Sequence, residues 1–125
     1  MSETATTGLT QEDVRRLIGD ALEYDPHYNV DDVLKEVREG RAYLWLGNSS
    51  IAVTTVIETP NGRRCNIWVA AGDMKELFEN IWPSVEGSAR ELGCKSISLT
   101  GRRGWVRAMK GFGFKEVATV VAKEL

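Results

Sequence analysis

A cluster of basic residues is the part of this sequence best suited to chemistry, and its members are Arg102, Arg103, Arg107 and Lys110. Guanidinium groups bind phosphate oxygens through paired hydrogen bonds, so this cluster could form an anion site. Gly101 and Gly104 flank the first two arginines, and Trp105 follows, where it could wall a cleft. The alternatives are a solvated charged face for the arginines and a core position for Trp105. The sequence leaves both open.

The sequence has few residues that could bind a metal or act as a reactive thiol. His27 is the single histidine of the chain, and it follows Pro26 in a segment that we interpret as a loop. The two cysteines, Cys65 and Cys94, lie in or beside apolar stretches, as reduced core cysteines do, and a disulfide between neighbouring strands is the minority alternative. The sequence therefore predicts no metal site.

A strand–helix–strand unit must position the basic cluster. Apolar residues predict strands over Cys65 to Ala71 and Lys95 to Thr100, and a long helix between them that opens at Asp73 and closes at Gly93. Two apolar strands joined by a helix predict a parallel pair with a right-handed crossover. Because ligands of open α/β sheets collect at the carboxyl ends of strands, any site should lie between Ala71 and Trp105.

Two features of the long helix bear on its ends and its course. Asp73 is predicted as the N-cap residue, and Glu76 follows at the spacing of a capping box. Pro83 falls inside the apolar pattern and has no N–H, so it should kink or split the helix near Trp82. The apolar phase continues past Pro83, which favours a kink.

The N-terminal half predicts two helices and an antiparallel meander. Thr10 and Asn29 are predicted as helix caps, the second for a helix over Val30 to Glu39. The meander comprises strands over Arg41 to Leu46, over Ser50 to Thr59, and from Arg64 into the central unit. Asn-Gly between the last two is a strong hairpin signal. At the other end of the chain, a short helix over about Gly104 to Lys110 precedes a last strand over Phe114 to Lys123.

The composition fits one globular domain. The length of 125 residues predicts a single domain over residues 10–125, after a flexible lead or edge strand over residues 1–9. The formal net charge of −2 gives no overall attraction to nucleic acid or to anionic membranes. The first residues lack the basic start and apolar run of a secretory signal, and the apolar runs are too short to span a bilayer.

The order of these elements resembles the fold of the GNAT N-acetyltransferases. That resemblance implies an α/β (α+β) protein with a mixed central sheet, an antiparallel N-terminal meander, a parallel strand–helix–strand unit and helices on both faces. Ala108 to Phe114 resembles the end of the family's last motif, and Gly101 to Ala108 with Lys123 to Leu125 looks most like small GNAT-like proteins of tailed bacteriophages and prophages. Some of those are associated with virion assembly instead of acetyl transfer.

The sequence also departs from what the resemblance implies. The family binds the coenzyme A pyrophosphate in a loop of the form Arg/Gln-x-x-Gly-x-Gly/Ala, and residues 70–75 here read Ala-Ala-Gly-Asp-Met-Lys. Asp73 places a carboxylate where the pyrophosphate would sit, at a helix N-terminus that favours one anion. Met109 stands where the family often has a tyrosine as general acid. Glu58 is the one candidate for a carboxylate that acts as a base through water.

Two functional readings follow. The first is a catalytically degenerate, phage-type GNAT-like module that makes protein contacts or self-associates in particle assembly. It would need no cofactor and would act in the bacterial host cytoplasm or with the virion. The alternative is an acetyl-CoA-dependent N-acetyltransferase with Glu58 as catalytic residue. In that reading the cofactor is bound by Gly72, Arg102, Arg103 and Trp105. It predicts an open cleft between the parallel strands, whereas nucleic acid and membrane partners are not expected in either reading.

Overall fold

The computed structural model describes residues 8–23, 25–101 and 103–125. The predicted lead over residues 1–9 falls mostly outside these ranges. The elements in chain order are α1 (Gln11–Ala21), α2 (Val30–Arg38), β1 (Tyr43–Leu46), β2 (Ser50–Thr59), β3 (Gly62–Gly72), α3 (Met74–Glu76), a π-helical turn (Leu77–Ile81), α4 (Trp82–Glu91), β4 (Cys94–Leu99), α5 (Arg103–Met109) and a 3₁₀ turn (Lys110–Phe112). No helix within the described ranges is both long enough and apolar enough to cross a bilayer.

The four strands form one mixed sheet in the order β1-β2-β3-β4. The first three pair antiparallel, and β3 pairs parallel with β4, as the sequence predicts. One core cluster joins the sheet to α1 and α2, and includes the buried Ile18, Val33 and Val69. The other joins it to α4 and the preceding turn, and includes Ile67 and Leu77. The predicted α/β fold with a mixed sheet is confirmed.

Side-chain caps fix the first two helices as predicted. The Thr10 hydroxyl accepts from the N–H of Asp13 at 3.0 Å, and the Asp13 carboxylate accepts from the N–H of Thr10. Asn29 and Asp32 form the same reciprocal pair at the start of α2. Each pair satisfies N–H groups at a helix start that have no partner within the helix.

Pro83 is accommodated by a change of helical register. The π-helical turn comes directly before α4, and the N–H of Trp82 reaches back to the carbonyl of Leu77, five residues earlier. Proline then takes one of the first positions of α4, where its missing N–H costs little. We call α3, the π-helical turn and α4 together the long helix.

The predicted last strand is wrong. Residues 113–125 are all described, and none of them is in a strand. The three valines that suggested it, Val117, Val120 and Val121, are 82%, 75% and 89% exposed. A β-branched segment becomes a strand only when another strand satisfies its backbone, and this one has none beside it in the described chain.

Candidate functional site

A cleft opens where the two parallel strands part. The last residues paired between β3 and β4 are Ile67 and Leu99, whereas β3 continues to Gly72. The β2–β3 register shifts at this point, because Val53 and Thr54 pair with Val69 and Ile67. Trp68 is thus an extra residue in β3. A β-bulge of this kind bends its strand, which explains why β3 leaves β4 here.

The cleft has a volume of about 190 Å³. Its lining comes from α1, from both parallel strands and from the start of α5: Asp20, Ala21, Ile67, Trp68, Ala70, Ala71, Leu99, Thr100, Gly101 and Trp105. Past Ile67 no described strand pairs with β3 on this side, so this stretch of β3 borders the cleft.

Trp105 forms one wall of the cleft and also packs on the long helix. Its ring lies 6.4 Å from that of Phe78 and 6.3 Å from that of Trp82. Such contacts fix the indole in place beyond what area burial alone would do. Trp105 thus lines the cleft and is partly buried against the core, without being one of the fully buried core residues.

Two carboxylates, Asp73 and Glu76, lie in the first turn of the long helix and have different partners. Asp73 is the N-cap residue as predicted, and its side chain accepts from the N–H of Lys75 at 2.9 Å. The predicted capping box does not form. Glu76 turns away and accepts from the N–H groups of Asn48 and Ser49, at 2.6 and 3.0 Å, and from the hydroxyl of Ser50.

These bonds set the charge state of Glu76. Partial burial raises its pKa, but the hydrogen bonds from Ser50, Ser49 and Asn48 together outweigh that effect, and the pKa is lowered. The folded state thus favours the charged form of this carboxylate, which lies one helical turn from the N-terminus. Together with Asp73 it makes this end of the helix acidic.

Gly72 is required by the backbone at the cleft end of the sheet. Its φ is +112°, and a Cβ there would lie 2.5 Å from the Cα of Ser50 and against the carbonyl oxygen of Ser49. Gly72 pairs with Ser50 in the β2–β3 ladder. Gly72 lies beside the helix N-terminus, as the predicted cofactor role would require. The close approach of β2 to β3 at this point is by itself a sufficient reason for a glycine.

The structure does not bring Glu58 to the cleft. Glu58 pairs with Arg63 at the hairpin end of the sheet, where their side chains form an ion pair of 2.8 Å. The cleft lies at the other end of the same ladder, beside the Ser50–Gly72 pair. Met109, where the family often has a tyrosine, is 3% exposed and belongs to the core.

The basic cluster is only partly described. Arg102 and the side chain of Arg103 lie outside the described part of the chain, so their predicted cofactor role stays a prediction. Arg107 and Lys110 are exposed and are not among the described residues that line the cleft. Within the described ranges, no three His, Cys, Asp or Glu side chains come together as a metal site would require.

Sequence patterns missed two features of this site. Asp20 is the one carboxylate among the described residues lining the cleft, but on the sequence it is one more polar position of α1. The bulge at Trp68 had no signal either, because bulges depend on the partner strand. The spacing of Glu76 from Asp73 predicted a capping box, whereas its partners in the structure are Asn48, Ser49 and Ser50.

Comparison with known proteins shows the fold and no more. A scan with protein-family models found no match, and neither did a comparison with curated proteins. An acetyltransferase of Trypanosoma brucei is similar in structure, with a TM-score of 0.65 and 11% identity over 91% of this chain and 92% of that one. Glucosamine-6-phosphate N-acetyltransferase from Arabidopsis thaliana superposes with a TM-score of 0.63 and 14% identity, covering 93% and 94%.

A third neighbour holds the cofactor of the family. An aminoglycoside N-acetyltransferase in complex with CoA has a TM-score of 0.64 and 12% identity, covering 91% of this chain and 87% of its own. The class of the fold is thereby settled: this chain has the fold of the GNAT acetyltransferases. Identities this low carry no activity or substrate across.

Proposed function

We propose that this chain is a catalytically degenerate GNAT-fold protein that acts through protein contacts. The resemblance to small GNAT-like proteins of tailed phages makes particle assembly in a bacterial host the setting of this proposal. One observation carries it: the Asp73 carboxylate, bonded to the N–H of Lys75, sits at the helix N-terminus where the fold family would place a pyrophosphate.

The argument from this observation is electrostatic. A helix N-terminus attracts an anion through its free N–H groups and its dipole. Here Asp73 already uses one of those N–H groups, and the charged Glu76 follows one turn later. A pyrophosphate would have to displace the first carboxylate and approach the second, with repulsion from both.

The open cleft supports a second candidate, an acetyl-CoA-dependent N-acetyltransferase. That reading predicts a gap between the parallel strands, and the structure has one, walled by Trp105. The cofactor would lie along β3, with Arg102 and Arg103 in place of the missing phosphate loop. Since Glu58 is remote from the cleft, Asp20 becomes the carboxylate to consider as base in this candidate.

Calorimetric titration with acetyl-CoA and with CoA separates the two candidates. We expect no heat of binding at millimolar ligand. Micromolar binding that is lost in the double variant Arg102→Ala with Arg103→Ala would overturn the proposal in favour of the enzyme, and the next step would be an acceptor screen with Asp20→Asn.

A matched pair of variants tests the electrostatic cause itself. Asp73→Asn removes the charge but keeps a good N-cap residue, whereas Glu79→Gln removes a charge from an exposed position of the same helix. If the Asp73 carboxylate is what excludes the pyrophosphate, CoA should bind the first variant more tightly than the second. Equal affinities would show that charge at this helix end does not decide binding.

A further inference from the structure

The sheet of this molecule has an open side at β4. β4 lies at the end of the strand order, and β3 is its one neighbour among the described elements. Its sequence, Cys-Lys-Ser-Ile-Ser-Leu, has one charge and no proline. An edge strand with so little protection presents unpaired N–H and C=O groups to any other strand.

An apolar pocket adjoins this edge. It has a volume of about 90 Å³, and its lining includes Ile97 of β4, Trp82 and Val85 of the long helix, and the aromatic rings of Phe112 and Phe114. Trp82 is 6% exposed, yet its indole N–H has no acceptor in the described chain. That indole nitrogen is itself buried within the chain, so whatever covers this place need only bring apolar side chains.

The segment from Lys115 to Lys123, which we call the arm, has the matching properties. Its valines are more than two-thirds exposed. In an extended arm, successive side chains point to opposite faces, so Val117, Thr119 and Val121 share one face and Ala118, Val120 and Ala122 share the other. The described arm forms no strand. An apolar segment and an unpaired edge thus both lie open in one molecule.

We propose that the arm of one copy of this chain adds as a strand to the β4 edge of a second copy. An extended arm of nine residues spans roughly 30 Å, more than the roughly 20 Å of six-residue β4, at about 3.3 Å per residue. Its valines cover the apolar pocket. This inference deepens the proposed function by naming a partner, and it rests on that proposal for its biological role.

A second copy, not the same chain, is the occupant to which this proposal commits. Within one chain the arm follows the 3₁₀ turn and Gly113, forms no strand, and leaves its valines exposed instead of placing them on its own β4. Two copies can exchange arms about a two-fold axis, so each edge is covered once and the assembly closes as a dimer. A closed dimer also removes the template for further edge pairing.

Light scattering after size-exclusion chromatography tests the exchange on the full chain. We expect a dimer at micromolar concentration. Val121→Pro, which removes a strand N–H, should yield monomers, whereas the matched control Val121→Thr keeps a β-branched residue and should stay dimeric. Since Val121 is 89% exposed within one copy, both variants should melt as the wild type does when compared as monomers.

Hydrogen exchange identifies where the strand is added. In the dimer, the N–H groups of the arm and of β4 should exchange more slowly than in the Val121→Pro monomer. A wild-type monomer at every concentration would overturn the inference, as would a monomer with a protected arm or a dimer that Val121→Pro leaves intact. None of these results alters the calorimetric test of acetyl-CoA binding, so the two proposals fail separately.

Discussion

The N-terminus of the long helix and the edge of the sheet at β4 differ in how their backbone polar groups are satisfied. At the N-terminus of the long helix, Asp73 and Glu76 satisfy N–H groups of the helix and of the β1–β2 turn. At the β4 edge, no second strand of the described chain pairs with the backbone. In the first region the N–H groups are bonded by the protein's own carboxylates, whereas the second lies open along a strand. Under our two proposals, the first region disfavours a further anion and the second accepts an added strand.

Adding a methyl group at Gly72 should have the largest effect on the first region. Gly72→Ala would force a Cβ to 2.5 Å from the Cα of Ser50 at a positive φ, so we expect the free energy of unfolding to fall by about 1–3 kcal/mol or more. Gly87 is the control, because it lies in α4 with nothing within 4 Å of an added Cβ. Gly87→Ala should stabilise the helix by about 0.5–1 kcal/mol in the same chemical denaturation experiment.

Removing the charge of Glu76 should release the β1–β2 turn from the helix. A hydrogen bond to a charged group contributes about 1.5–3 kcal/mol to stability. Water can replace this carboxylate at the exposed N–H groups of Asn48 and Ser49, which reduces the loss. We therefore expect Glu76→Gln to cost about 1–2 kcal/mol of unfolding free energy. Glu79→Gln, at an exposed position of the same helix, should cost almost nothing.

The same residue predicts a pH dependence. The pKa of Glu76 is lower in the folded protein than its ordinary value, so the folded state favours the carboxylate. Its contribution is therefore complete at pH above the ordinary value and is lost as the pH falls through the lowered one. Stability measured from neutral to acid pH should fall less steeply for Glu76→Gln than for the wild type. Parallel curves would contradict the cause given for the shift.

Asp73 should contribute less than Glu76, because it bonds a single N–H. We expect Asp73→Ala to lower the free energy of unfolding by about 0.5–2 kcal/mol, and Asp73→Asn to change it little, since asparagine is as good a cap. Thermal melts of the two variants measure the difference. Equal melting temperatures for Asp73→Ala and the wild type would rule out the capping role.

Local signals predicted the fold, but contacts between distant segments decided the site. The caps at Thr10, Asn29 and Asp73 and the Asn-Gly hairpin depend on neighbours within a few residues, so their patterns can be read directly. Glu76 bonds residues some 26 to 28 positions away, which no spacing rule anticipates. The last strand failed for the same reason, because β-branched residues need a partner strand that the pattern cannot supply.

The two cysteines should differ in how fast a thiol reagent labels them, and this is the smallest effect that we predict. Cys65 lies in the core, whereas Cys94 is the first residue of the β4 edge strand. Burial, with a smaller effect from nearby Cys94, raises the pKa of the Cys65 thiol to about 11, so almost none of it is thiolate at neutral pH. Cys94 is only half-buried, at the first position of β4. A thiol reagent should therefore label Cys94 first, and mass spectrometry of the digest would show it.

Because an added strand would cover this edge, labelling of Cys94 should also be slower in wild type than in Val121→Pro. Equal rates would mean that the edge stays open in both, which would count against strand addition.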